Sequence, residues 1–214
     1  MKFQEEMTEL RRCTMNMAEL TVGMVGRSLD VLMDMDLQAA EQMVDDFAKV
    51  DRYDRKIEEL AIRILTLYQP MASDMRAVAT YMKSITYMER IAKYCKNIAI
   101  AAQYLKDKPR YDVIECLRPM GDTATKMVGI VINGLRNVTV EGFDQISDMD
   151  TILDDALRDD MRTIIDFMTS CPESVDVCTY YISVMKYLER IGDHACKIAE
   201  KVTFMVTGFH AIIE

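Results

Sequence analysis

The sequence predicts an all-α protein made of two tandem antiparallel three-helix bundles related by internal duplication. Three observations carry that prediction. The first is composition: the 214 residues include 8 Gly, 4 Pro and no Trp, while Met, Leu, Ile and Ala abound, which suits helices better than sheets. The second is apolar spacing of three and four residues sustained over long segments. The third is self-similarity. Residues 81–99 (YMKSITYMERIAKYCKNIA) match 181–199 (YISVMKYLERIGDHACKIA) at an offset of 100, with identities that include Tyr81/Tyr181, Tyr87/Tyr187, Glu89/Glu189, Arg90/Arg190, Ile91/Ile191, Ile98/Ile198 and Ala99/Ala199. Upstream the offset is 103, which pairs Met24-Val25-Gly26 with Met127-Val128-Gly129, Asp51 with Asp154 and Arg55 with Arg158. A three-residue length change between the second and third elements reconciles the two offsets, as expected of a duplicated unit that drifts in its turns.

Taken in order, residues 5–34 form the first helix, with Leu10, Met17, Leu20, Met24, Val31 and Leu32 on its apolar stripe. A second helix over 37–67 carries Ala40, Met43, Val44, Phe47, Val50, Ile57, Leu60, Ile64 and Leu67. It stops at Tyr68-Gln69-Pro70, where proline ends one helix and suits the first turn of the next. The third helix runs over 70–105, with Asp74 near its start where the helix dipole favours an acid. Lys106-Asp107-Lys108-Pro109 links the units, giving domains at 1–107 and 108–214. The second unit repeats the plan with helices over 110–137, 140–169 and 173–207, and a break at Ser170-Cys171-Pro172. Long helices with short connections make antiparallel neighbours.

Composition also excludes functions. A net charge of −9 disfavours nucleic acid and anionic lipid as partners. No run approaches 18 apolar residues, so no membrane span is expected. The amphipathic, acidic start MKFQEEMTELRR does not resemble a signal peptide. The six cysteines, at 13, 95, 116, 171, 178 and 196, form no Cys-x-x-Cys pair, which points to reduced thiols serving as small core residues in a cytoplasmic protein. The 19 methionines read as core filler. His194 reads as a surface or rim residue. No phosphate-cradling glycine loop, GxSxG, HExxH or Glu-x-x-His pair is present, and no residues assemble into a catalytic constellation, so the chain is not expected to be an enzyme.

Carboxylates four residues apart share a helix face and can grip one cation together. Asp150 with Asp154, and Glu189 with Asp193, are two such pairs on neighbouring helices of the second unit. Together they would offer an all-oxygen site for a hard divalent or trivalent ion, such as Mg, Mn or Fe, with Zn a softer possibility. In the first unit the counterparts are Asp51 and Glu89, with Phe47 in place of Asp150 and Lys93 in place of Asp193. The expectation is one competent site and one degenerate site of Asp51, Glu89 and Lys93, in which the Lys93 ammonium neutralises the acids.

These motifs resemble a known family. Gln69-Pro70-Met71-Ala72-Ser73-Asp74-Met75-Arg76 is similar to the QP-x-A-x-DLR signature of the PhoU family, and Glu189-Arg190-Ile191-Gly192-Asp193-His194 to its ERIGD motif. The resemblance spans essentially the whole chain. It implies two three-helix bundles, often paired as a homodimer, that bind metal through Glu/Asp-x-x-x-Asp motifs. It further implies a cytoplasmic negative regulator that reaches the membrane only through partners, namely the PstB-like ATPase subunit of a phosphate ABC transporter and a PhoR-like sensor kinase. Two other readings are a metal-storage bundle and a regulator of a sodium–phosphate transporter. Lys93 and Phe47 depart from the family pattern, as does Lys197 where the family often has Asn.

Overall fold

In a computed structural model, which describes residues 2–213, the described residues form six long helices and no strand. They are α1 (Lys2–Asp34), α2 (Leu37–Tyr68), α3 (Ala72–Leu105), α4 (Leu117–Asn137), α5 (Ile146–Ser170) and α6 (Val175–Thr207).

The turns have local causes. Between α1 and α2, Met35 takes a left-handed φ of 52°, and the Asp36 carboxylate caps α2 by accepting from the Ala39 amide at 3.0 Å. Gln69 ends α2 in the same left-handed region, and Ala72 also has positive φ, so Pro70 lies in the connection rather than in the first turn of α3. Helix α3 therefore begins two residues later than the proline predicts. Three further starts also shift. Short 3-10 turns at Asp112–Cys116, Phe143–Gln145 and Pro172–Ser174 precede α4, α5 and α6, where the sequence predicts α-helix from 110, 140 and 173. Before α5 the reason is a close approach: a Cβ on Gly134 would sit 2.5 Å from the Phe143 ring and 2.8 Å from the Thr139 carbonyl. Only glycine lets the chain fold back over α4 there and seat Phe143 against it.

Within the first unit α1, α2 and α3 pack on one another, and within the second α4, α5 and α6 do the same. The most extensive helix pair in the molecule joins the units, α3 against α6, and α1 also packs on α4. The buried residues accordingly form one contiguous core, with Met17, Met24, Met88, Ile91, Leu135, Leu153 and Ile191 among its members. Several of the methionines fill gaps in that core, as their adaptable shape suits. The result places α2 and α5 on the flanks of a central α3–α6 pair, and it is the α5–α6 flank that carries the candidate site.

Candidate metal centre

Asp150 and Asp154 occupy successive turns of α5, and Glu189 and Asp193 occupy successive turns of α6. Gly192 brings these two faces together. A Cβ at that position would meet Leu153 Cδ1 at 2.5 Å and would stand 3.5 Å from Asp150 Oδ1. The absent side chain thus lets Leu153 sink into the helix surface and sets the Asp150 carboxylate on α6, beside the turn that carries Glu189 and Asp193. In the first unit the positions equivalent to Gly192 and Leu153 are Ala92 and Val50, both fully buried. Between the units one methyl's worth of volume shifts from the flanking helix to the central helix, so the pair keeps a similar total volume.

The acids lie close enough to shift one another's protonation. Glu189 is pushed up to about 7, first by burial, then by Asp193, with Asp154 and Asp150 adding to it and Arg190 opposing. Burial also raises Asp150, with Asp193 and Asp154 contributing, while a hydrogen bond from the Cys196 thiol works the other way. Arg190 partly neutralises the group, at 2.6 Å from Asp193 and 3.3 Å from Glu189. Among the described residues no three carboxylate, histidine or cysteine side chains stand close enough to close around an ion. The donor set nonetheless fits one chemically: Glu189, Asp150 and Asp193 are partly buried and Asp154 is exposed, and mutually repelling carboxylates of this kind would be relieved by a hard cation.

The first unit corrects one expectation. Lys93 is exposed, and among the described residues it forms no ion pair with Glu89 or Asp51. Asp51 is held by Arg55 one turn along its own helix, at 2.8 Å. The inward cation is Lys96, whose ammonium lies 4.0 Å from the centroid of the Phe47 ring. Phe47 corresponds to Asp150 and Lys96 to Cys196, so a ring and an ammonium occupy the two positions where the second unit has a carboxylate and a thiol. Asp54, one turn beyond Asp51, is raised by burial and then by Glu89, so one acidic contact survives there.

Cysteine and histidine roles also change. All six cysteines are free, and four are buried, yet Cys196 serves the site through Asp150 and Cys13 donates to Glu9 at 3.3 Å. Cys196 lies seven residues after Glu189, two turns along one face, and that spacing is the signal that could have found it. His194 is half-buried at the seam where α3 meets α6. Its ring sits 5.8 Å from the rings of both Tyr87 and Tyr94 on α3, and burial with Arg90 nearby lowers it to about 4. Tyr94 is the residue equivalent to His194, so this stack lies on the pseudo-twofold between units.

Comparison with known proteins gives a consistent picture. The PhoU domain matches residues 14–102 and again 117–202. A phosphate-specific transport system accessory protein PhoU homolog of Zymomonas mobilis is 30% identical over 206 residues, covering 96% of this chain and 87% of that protein. The Rhizobium meliloti homolog is 29% identical over 211 residues, with 96% and 87% covered. Among solved structures, PhoU from Pseudomonas aeruginosa superposes with a TM-score of 0.91 at 27% identity, covering 97% of this chain and all of that one. The phosphate transport system regulatory protein PhoU from Streptococcus pneumoniae gives 0.87 at 25% identity, with 98% and 99% covered.

Proposed function

The chain belongs to the PhoU family, and from that premise we propose that it is a negative regulator of phosphate uptake and phosphate-starvation signalling that works by protein contact. Family membership supports a role in regulating phosphate transport. The finer reading names two partners, the ATPase subunit of a phosphate ABC transporter (PstB-like) and a sensor kinase (PhoR-like), and takes the chain as a homodimer in the cytoplasm. No helix among the described residues is long and apolar enough to cross a membrane, so membrane proteins would be reached from the side by contact.

The observation that supports the finer reading is the mutual charge coupling of Asp150, Asp154, Glu189 and Asp193 across α5 and α6. A divalent or trivalent metal ion, when bound, would supply positive charge that binds the flanking helix α5 to the central helix α6. The protein's own residues do the rest. Gly192 and Leu153 set the distance between the helices, Cys196 orients Asp150, and Arg190 balances the acids until an ion replaces it. In this reading the ion rigidifies a docking surface and performs no chemistry, so no turnover is expected.

A pull-down tests it. Metal-replete protein should retain the transporter ATPase subunit, and the Glu189→Ala/Asp193→Ala variant should retain several-fold less. Failure of the metal-replete protein to capture that subunit would count against the proposed partner, whatever the variant does.

A further inference from the structure

The groove between α1 and α2 is an island of positive charge on a protein whose net charge is −9. Two ladders cross it. Near one end Arg27 and Lys49 share the Asp46 carboxylate at 2.7 and 2.8 Å. Further along, Arg12 and Lys56 share Glu9 at 2.7 and 2.8 Å. Arg52 lies between the ladders, exposed, and among the described residues it forms no ion pair. A cavity of about 260 Å³ opens at this point, lined by Lys49, Arg52, Tyr53 and Lys56. The Tyr53 hydroxyl accepts from Asn16 Nδ2 at 3.4 Å, which leaves its own proton free to donate into the cavity.

Two arguments say that this arrangement serves something outside the chain. Arg52 has Lys49 three residues before it and Arg55 and Lys56 three and four residues after it, so its same-face neighbours on α2 are like charges. Such spacing destabilises a helix unless it is compensated. Lys49, Arg55 and Lys56 are each paired with an acid, whereas Arg52 among the described residues forms no ion pair, and an uncompensated break of a local rule marks a functional position. The duplicated fold, moreover, does not need these cations. At the equivalent positions of α5 stand Ile152, Asp155, Ala156 and Asp159, and the second unit packs in the same way.

We propose that the α1–α2 groove of the first unit binds a phosphate-class oxyanion, anchored by the Arg52 guanidinium. A guanidinium presents a planar fork that matches two oxygens of a phosphoryl group, and Lys49, Lys56 and the Tyr53 hydroxyl complete a donor set around it. Asp46 and Glu9 face the same groove, but each is already shared by two cations, so the surplus charge is positive. The cavity admits free phosphate or the terminal phosphoryl group of a larger molecule. This inference stands apart from the metal site and does not depend on it.

Calorimetric titration of the full chain with inorganic phosphate, pyrophosphate, ATP and sulfate tests the proposal. Saturable one-to-one binding of a phosphate-class probe is expected, weakened at least tenfold by Arg52→Gln and unchanged by Lys186→Gln on the far helix α6. Comparable binding of phosphate and ATP identifies the free ion as the source, and a preference for ATP identifies a nucleotide phosphoryl group. No saturable binding by the wild type overturns the proposal, as does unaltered binding by Arg52→Gln or sulfate binding as tightly as phosphate. A thermal melt guards against misfolding: without ligand Arg52→Gln should melt at or above the wild-type temperature, because like-charge neighbours are relieved. A variant that melts lower shows that Arg52 is structural and contradicts the argument.

Discussion

At Glu189, burial and three neighbouring aspartates raise the carboxyl to about 7 from an ordinary value of 4.5. The sign of its effect on stability follows from linkage. Below pH 4.5 the group is protonated in both folded and unfolded protein. Between 4.5 and 7 the folded state holds the proton more tightly, so metal-free protein loses stability as pH rises through that window and recovers none above it. Since the side chain is only 12% exposed, the penalty by pH 8 is about 1–3 kcal/mol. Glu189→Gln should therefore flatten the urea-midpoint profile between pH 5 and 7 and make chelator-treated protein more stable than wild type at pH 8. An unchanged slope would show that Glu189 ionises normally. The residues around it differ in how openly the sequence declared them. Four-residue spacing exposed all four acids, because the helix repeat alone puts them on one face. Arg190, Cys196 and Lys96 were not legible, since their roles depend on which side chain of a neighbouring helix each one meets.

At the scale of the helix pair, α5 approaches α6 because Gly192 leaves room for Leu153. Gly192→Ala places a methyl 2.5 Å from the Leu153 side chain and should cost about 1–3 kcal/mol through overpacking. Adding Leu153→Val copies the Ala92/Val50 pair of the first unit and should recover most of that loss. Denaturant unfolding of the two single variants and the double variant measures the coupling, and strict additivity would refute the packing account. The helices themselves were legible because apolar residues such as Ala40, Met43, Val50, Ile57 and Ile64 mark one stripe on α2, all buried in the fold. Their starts were less so. The 3-10 turn before α5 depends on Phe143 closing over Gly134, and Val138 takes a left-handed φ of 55° that no propensity favours in a β-branched residue. Such starts are set by tertiary contact and leave no periodic trace.

Across the whole molecule, the α3–α6 pair merges two duplicated units into one core while the second unit alone keeps a full acidic set. The shared core predicts joint unfolding. Met88→Ala, at a fully buried position of α3, should cost about 2–5 kcal/mol and lower amide-exchange protection in α5 and α6 as well as in α2. Loss confined to α1–α3 would mean that the units unfold separately. The asymmetry between units predicts where metal acts. The two halves diverge at matched positions, Asp150 and Cys196 against Phe47 and Lys96, so any ion should be held in the second unit. Elemental analysis of metal-replete protein tests this most directly, comparing wild type with Glu189→Ala/Asp193→Ala and with Asp51→Ala/Glu89→Ala. The account predicts bound metal in the wild type and in the first-unit variant and its loss from the second-unit variant; equal metal in all three, or loss only from the first-unit variant, would contradict it.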